Sequence, residues 1–235
     1  KAKAEQNVPQ MMKAYLTAMQ YRSLLMPDSL KVDMKGLEQW ASQTGSVEDK
    51  AILYSILGEM TMTDNIKKGF DYLQLSLKDK DKLLLVPVEK FKPMVKVGEA
   101  SKRYFRDNLY NLLAHRAIQI MQQYRWQAAS KANQTNSLPA DMTDMDRFVT
   151  YQFVPVSDCD LTAAVMQTYQ SLLKAYDTET EREGWLLTGI DALNYLYRHF
   201  SGNFSNDVCQ QELRKWMHTY PAVKTVPEAY LALAQ

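Results

Sequence analysis

Residues 109–121, LYNLLAHRAIQIM, decide the fold class. Their apolar side chains recur three and four positions apart, which is the period of one face of an α-helix. The stretch contains neither glycine nor proline, and it lies inside a helix that we predict over residues 103–125. The predicted buried face consists of Leu109, Leu112, Leu113, Ala117, Ile120 and Met121.

The composition favours helix throughout the chain. Of the 235 residues, 46% are hydrophobic and 23% are charged, which is ordinary for a folded globular protein. Only 8 residues are glycine and 8 are proline. Sheet-rich folds and nucleotide-binding folds usually need more glycine, for tight turns and phosphate-binding loops. We therefore expect neither of these two classes.

Four helices are predicted before the central one. The first covers residues 9–25, with a buried stripe that ends at Leu24, and Pro27 terminates it. The fourth has its stripe at Ile66, Phe70, Leu73 and Leu77, and residues 78–82 follow as a turn. Residues 83–86 are apolar and fit either helix or strand. The predicted capping residues of helices two to four are Asp33, Ser46 with Asp49, and Thr63 or Asp64.

Residues 130–156 are rich in Asn, Ser, Thr, Asp and Pro, and they predict a long connection. We therefore divide the chain into an N-terminal helical subdomain (1–129), a connection (130–157) and a C-terminal helical subdomain (158–235), forming one continuous helical array. Further helices are predicted to start at Asp158 or Asp160, Glu179, Ser205 and Thr225 with Pro227.

Short loops between helices of this length favour antiparallel hairpins. The predicted fold is all-α, with antiparallel helical hairpins stacked as an irregular, tetratricopeptide-like α-solenoid. A strict 34-residue repeat with its closing proline is not present.

The net charge of +1 gives the whole chain no electrostatic preference for nucleic acid or membrane. No run of 18 apolar residues exists, so we expect no membrane insertion. Residues 61–125 carry 13 Lys/Arg and 7 Asp/Glu, whereas residues 126–235 carry 8 and 13. This asymmetry fits two oppositely charged solvated faces, which can pack on each other, and also a basic docking surface for an acidic protein partner.

Catalytic and cofactor motifs are missing from the sequence. It has no nucleophile elbow, no dinucleotide-binding glycine pattern and no phosphate-binding lysine loop. His115, His199 and His218 do not form a helical metal-binding pair, although His199 and Cys209 flank one loop. Cys159 and Cys209 permit one disulfide without requiring it. We expect no enzyme activity, no catalytic residue, no cofactor and no metal.

Three weaker patterns have both a functional and a structural interpretation. Asp141, Asp144 and Asp146 fit Ca²⁺ ligands or a solvated loop, and they lack the glycine and glutamate of a calcium-binding loop. Glu181, Glu183 and Asp191 fit an acid/base pair or exposed helix charges. The aromatic residues of the basic middle fit a single-strand nucleic-acid platform or core packing, and we favour core packing; they are Tyr104, Phe105, Tyr110, Tyr124 and Trp126.

Residues 108–117, NLYNLLAHRA, resemble a helix in the N-terminal helical region of large Bacteroidetes-type bacterial alpha-2-macroglobulin-like proteins. Residues 1–14, residues 165–175 and the LNYLY segment at 193–197 are similar to other helices of that region, in the same order. The resemblance covers most of the chain. It implies a secreted or periplasmic, membrane-anchored parent protein whose later domains trap proteases, and we expect this chain to be an excised helical segment of it.

The family's reactive thioester is formed within a Cys-x-Glu-Gln sequence. In residues 209–212, CQQE, the glutamines precede the glutamate, which is the wrong order, so we carry over no thioester. The Asp28-Ser29-Leu30 tripeptide matches an O-glycosylation pattern of such bacteria, and it also fits a plain helix-capping loop, which we favour. The expected function is a non-enzymatic scaffold or interaction region that contacts a protein partner or other domains of the same chain. The alternative is a free-standing helical-repeat adaptor.

Overall fold

The structure is a computed structural model that describes residues 7–95, 98, 107–128, 139–176, 180–200 and 206–223. The regular elements of these residues are helical, and only an isolated β-bridge joins Pro87 to Asn108. The all-α prediction is confirmed. The helices are α1 (Val8–Leu25), α2 (Ser29–Gln43), α3 (Val47–Met62), α4 (Ile66–Leu77), α5 (Lys80–Leu84), α6 (Leu109–Ala128), α7 (Met145–Thr150), α8 (Leu161–Ala175), α9 (Arg182–His199) and α10 (Asn206–Thr219), with short 3-10 helices at Val88–Phe91 and Ala140–Thr143.

The chain divides into two compact units. Unit 1 comprises Lys1–Lys102 with Arg106–Ile120, and unit 2 comprises Arg103–Phe105 with Met121–Gln235. The division falls inside α6, so this helix contributes its first part to unit 1 and its last part to unit 2. The sequence places no glycine or proline at this point, and therefore nothing local marks it.

Unit 1 begins with two antiparallel hairpins. In the first, Tyr15 of α1 contacts Trp40 of α2 edge to face, with ring centroids 6.0 Å apart. In the second, α3 and α4 approach closely because two glycines face each other: a Cβ on Gly69 would lie 3.0 Å from the carbonyl oxygen of Gly58. The buried side of α4 is consequently Gly69, Leu73 and Ser76 rather than the large stripe that we predicted.

The start of α6 is hydrogen-bonded to the segment that joins α5 to the first 3-10 helix. The Leu109 N–H donates to the Val86 carbonyl at 2.8 Å, and the Val88 N–H donates to the Asp107 carbonyl at 2.7 Å. The side chain of Asn108 caps the helix by accepting from the Asn111 N–H at 2.9 Å. Leu109, Leu113, Ala117, Ile120 and Met121 are buried as predicted, whereas Leu112 is partly exposed.

Unit 2 is built around an antiparallel pair, α8 and α9. Tyr169 and Tyr195 contact each other across it, and further along Thr188 donates to the Tyr176 hydroxyl at 3.2 Å. The apolar face of α8 is buried at Leu161, Ala164, Val165, Leu172 and Leu173, and on α9 Leu186, Leu187, Ile190, Leu193 and Leu196 are buried. Helix α10 packs on α9 through the tilted rings of Trp185 and Trp216.

The capping predictions divide into correct and wrong ones. Ser46 caps α3 by accepting from the Asp49 N–H, and Asp160 caps α8 by accepting from the Ala163 N–H. Asp33 does not begin α2, because the helix already starts at Ser29. Asn65, rather than Thr63 or Asp64, caps α4.

Two predicted loops contain helix. Residues 78–82 were expected to form a turn, but α5 starts at Lys80. The described part of the 130–157 stretch contains a 3-10 helix and α7, and Met142, Met145 and Phe148 in it are buried. Gln170 of α8 holds it by donating to the carbonyls of Phe148 and Tyr151. The helix starts predicted at Glu179, Ser205 and Thr225 with Pro227 lie outside the described residues.

Candidate functional site

The turn between α1 and α2 exposes a cluster of large apolar side chains. Leu25 is 83% exposed and Leu24 is 74% exposed, and their neighbours are little more covered. Five side chains of this kind expose an apolar area on the order of 500 Å², the size of the largest patches on monomeric proteins, which are often functional. We call this cluster the hairpin tip, and it consists of Tyr21, Leu24, Leu25, Met26 and Val32.

The hairpin tip is held in place by polar contacts on the side facing α2. The guanidinium of Arg22 donates to both carboxylate oxygens of Asp33, at 3.0 and 2.6 Å. The Tyr15 hydroxyl donates to the Asp33 carbonyl at 2.9 Å. Asp33 is buried, and the hydrogen bond to its carboxylate raises the pKa of Arg22. The apolar side chains are therefore presented by an ordered hairpin.

The sequence interpretation of Leu24 was wrong. We placed it on the buried stripe of α1, but the structure buries Met12 and Met19 there and exposes Leu24. The signal that reveals the tip is the run Leu24-Leu25-Met26 directly before Pro27. Leu24 and Leu25 are consecutive helical residues spread by about 100°, and Met26 lies just beyond the helix end, so the three side chains do not share one buried face.

Ser29 of the glycosylation-like tripeptide begins α2 beside the hairpin tip. Its hydroxyl oxygen is buried and has no hydrogen-bond partner among the described residues. In this conformation the oxygen is inaccessible to a modifying enzyme. The side chain of Asp28, which precedes α2, makes no capping hydrogen bond, so a capping role of residues 28–30 is not seen either.

The three histidines occupy different helices. His115 is buried on α6, His199 ends α9, and His218 is exposed on α10. The His199 ring packs against Tyr195 with centroids 4.4 Å apart. Burial, and then the charges of Arg125 and Arg198, lower the pKa of His199 to about 4. Among the described residues, no group of three or more His, Cys, Asp or Glu side chains is placed to hold a metal.

The acidic cluster considered for calcium has a structural role at Asp144. Its carboxylate caps α7 by accepting from the N–H groups of Asp146 and Arg147, and it accepts from Lys215 Nζ at 3.0 Å. The hydrogen bond from Lys215, together with the capping bonds, lowers the pKa of Asp144. Asp146 is exposed, and the side chain of Asp141 lies outside the described part.

Glu183 and Asp191 of α9 are too far apart to form an acid/base pair. Glu181 and Glu183 are at its first turn, and Asp191 is two turns after Glu183. Eight helical residues correspond to about 12 Å, too far for two carboxylates to share a proton. These acids also make contacts within the protein.

The residues resembling a thioester sequence lie within helix α10. Cys209 and Glu212 are buried, and Glu212 Oε1 accepts from Trp216 Nε1 at 2.7 Å. Burial raises the pKa of both the Cys209 thiol and the Glu212 carboxyl. No disulfide joins Cys159 to Cys209. An ordered helix with a hydrogen-bonded glutamate lacks the geometry of a Cys-to-Gln crosslink.

The aromatic residues of the basic middle are not arranged as a platform where the structure describes them. Tyr110 is buried, and Lys80 Nζ lies 5.4 Å from its ring centroid. Tyr124 is only partly exposed. Tyr104, Phe105 and the side chain of Trp126 are outside the described part. The buried Tyr110 ring cannot stack on a base, which favours the core-packing interpretation.

Acids from the first sixty residues neutralise part of the basic middle. Within unit 1, Lys68 pairs with Glu38, Lys90 with Glu48, and Arg116 with Glu59. The hydrogen bond from Lys68 lowers the pKa of Glu38, and that from Lys90 lowers the pKa of Glu48. The positive excess of residues 61–125 is thus smaller in the folded unit than in the sequence.

Comparisons with known proteins add no relative to this description. The chain matches no protein-family model, no curated protein and no solved structure. None of the described helices combines the length and the apolar character that crossing a membrane requires.

Proposed function

We propose that this chain is a non-enzymatic helical interaction region and that the hairpin tip is its principal contact surface. The observation that carries the proposal is the exposure of Leu24, Leu25 and Met26 on a hairpin fixed by the Arg22–Asp33 contact. Exposed large apolar side chains on an ordered hairpin favour binding, because covering them with a partner removes apolar surface from water. Within the described ranges, the other exposed large apolar side chains do not form a comparable run along one turn.

The shape and size of the hairpin tip indicate the kind of partner. Two copies of the tip facing each other would bury on the order of 1,000 Å², less than the roughly 1,600 Å² of a standard stable interface. The hairpin tip is covered more completely when it enters an apolar groove. We therefore commit to a protein surface with an apolar groove as the occupant of the tip.

The resemblance to alpha-2-macroglobulin-like proteins suggests where that groove lies. In a secreted or periplasmic parent protein of this type, other domains of the same polypeptide would receive the tip. The helical region would then be a scaffold for the protease-trapping domains. The buried positions of His115 and Asn111, which lie in the most similar segment, support a packing role for that helix.

Site-specific photo-crosslinking in the source cell tests the proposal. The photo-reactive residue p-benzoylphenylalanine replaces Leu25 in the native polypeptide, and it replaces Leu85, which is 84% exposed, as the matched control. We expect one discrete crosslinked product from position 25 that position 85 does not give. An intramolecular product favours the scaffold, and an intermolecular product favours the free-standing adaptor. No product from position 25, or the same products from both positions, contradicts the proposal.

A further inference from the structure

Unit 1 contains two cavities that share part of their walls. The inner cavity has a volume of about 400 Å³ and lies among α1, α3 and α6. The outer cavity has a volume of about 420 Å³ and lies between α1 and the segment after the first 3-10 helix. Leu16, Met94 and Val95 line both of them. Each volume falls in the range of about 300–1,000 Å³ that is typical of small-molecule pockets.

The inner cavity has apolar walls and one unsatisfied polar group. Eight of its eleven lining residues are apolar, among them Ile52, Ile56, Leu112 and Leu113. Ser55 also lines it, is 1% exposed, and its hydroxyl has no hydrogen-bond partner among the described residues. A buried hydroxyl without a partner is unfavourable, and one water molecule in the cavity, beside a bound chain, would relieve it.

The charged side chain at the inner cavity is already neutralised. Arg116 lines this cavity, but its guanidinium is paired with Glu59. The inner cavity therefore offers no unpaired cation to an acidic group. Its chemistry fits an aliphatic chain rather than a polar molecule.

The outer cavity has the complementary character. Lys13 and Lys92 line it, and both are exposed. Neither lysine forms an ion pair with another side chain in the part of the chain that the structure describes. Thr17 and Gln20 add hydrogen-bonding groups to the same wall. Two ammonium groups beside these polar side chains fit an anionic group.

We propose that the two cavities form one binding site for a single-chain anionic amphiphile. The aliphatic chain occupies the inner cavity between α3 and α6, and the acidic group lies in the outer cavity near Lys13 and Lys92. The shared residues Leu16, Met94 and Val95 surround the junction of the two parts. This site is independent of the hairpin tip, whose side chains do not line either cavity.

Titration calorimetry with dodecanoate, kept below the concentration at which it forms micelles, tests the site. We expect saturable binding of one molecule per chain. The double variant Lys13→Gln/Lys92→Gln should weaken this binding at least tenfold. The control Lys78→Gln/Lys82→Gln removes two lysines that line neither cavity, and it should leave the affinity unchanged.

Dodecanol, which has the same chain without the charge, separates the two parts of the site. It should bind more weakly than dodecanoate to the natural protein, and equally well to the natural protein and the Lys13→Gln/Lys92→Gln variant. Ile56→Phe fills the inner cavity and should reduce the affinity for both molecules. Circular dichroism and thermal unfolding verify that this variant folds, and Ser55→Ala provides a second, smaller change inside the same cavity.

Three results would overturn the amphiphile site. They are the absence of saturable dodecanoate binding, equal affinity of the two lysine double variants, and binding that a folded Ile56→Phe variant leaves unchanged. Crosslinking from position 25 reports on the hairpin tip alone. Failure of the amphiphile site and failure of the proposed function are therefore distinguishable.

Discussion

Arg22 and Asp33 are joined by two hydrogen bonds across the first hairpin, at 3.0 and 2.6 Å. The carboxylate is buried, whereas 46% of the Arg22 side chain is exposed. The contact lies between the buried part of α1 and the exposed hairpin tip. It is therefore the place where the stability of the hairpin and the presentation of the tip are connected.

Replacing Arg22 should loosen the first hairpin. In Arg22→Gln the buried Asp33 carboxylate loses its charged partner, and a buried charge without a partner is destabilising. We expect a lower midpoint of thermal unfolding, measured by circular dichroism. Lys82→Gln is the control, because its pair with Asp79 is exposed and 3.5 Å long. Equal midpoints for Arg22→Gln and the natural protein would show that the contact does not hold the hairpin.

The crossing of α3 and α4 should not tolerate a side chain at Gly69. A Cβ there would lie 2.8 Å from the Met62 backbone nitrogen and 3.0 Å from the Gly58 carbonyl oxygen. Because backbone atoms cannot move aside independently, we expect Gly69→Ala to cost about 1–3 kcal/mol in the free energy of unfolding, despite alanine's better helix propensity.

Gly45→Ala is the matched control for this substitution. A Cβ at Gly45 meets nothing within 4 Å, so the change should be neutral or slightly stabilising. Urea unfolding of both variants gives the comparison. A Gly69→Ala protein as stable as Gly45→Ala would mean that the helices are further apart than described.

The central helix should depend on its buried leucines. Leu113 is 4% exposed, and we expect Leu113→Ala to cost about 2–5 kcal/mol in the free energy of unfolding, because a cavity replaces the lost methyl groups. Leu85→Ala removes the same atoms from a side chain that is 84% exposed, and it should change the free energy of unfolding by less than about 0.5 kcal/mol. Similar losses in the two variants would contradict the burial of this face of α6.

Acid should destabilise unit 2 through His199. Its pKa is about 4 in the folded protein, against 6.5 for an unperturbed histidine. Between these values the unfolded chain binds a proton that the folded chain does not. The contribution of neutral His199 to stability is therefore complete above pH 6.5 and is lost as the pH falls toward 4.

The variant His199→Gln measures this contribution. Between pH 7 and pH 5 it should lose less free energy of unfolding than the natural protein, by about 1 kcal/mol after allowance for the partial exposure of the ring. His218→Gln removes an exposed histidine and should keep the natural pH dependence. Identical pH dependence in all three proteins would exclude the proposed neutral state of His199.

Periodicity predicted the large elements because their buried faces are regular. Helices α8 and α9 show this clearly, since each places leucines at helical spacing on a covered side. It failed where burial depends on a tertiary contact. Gly69 is buried because α4 lies directly against α3, and the buried carboxylate of Asp33, within α2, is neutralised by Arg22. Small and charged residues give no periodic signal of such contacts.

The candidate sites were even less visible in the sequence. Leu24 has the right spacing for a buried stripe, and only its position in a run of three apolar residues before Pro27 indicates exposure. The amphiphile site joins α1, α3, α6 and residues near Met94, which are far apart in the chain. Nothing in the local pattern of any one segment shows that a space remains between them.

The affinity of a hairpin-tip variant for the groove identified by crosslinking tests the central claim most directly. In the double variant Leu24→Ser/Leu25→Ser, two exposed side chains lose their apolar surface without any loss of core packing. We predict an unchanged unfolding midpoint and a dissociation constant at least ten times larger, because truncating the anchor residues of an interface costs about 1–2 kcal/mol or more. The same affinity for this variant, the natural protein and a Leu85→Ser control would contradict the account.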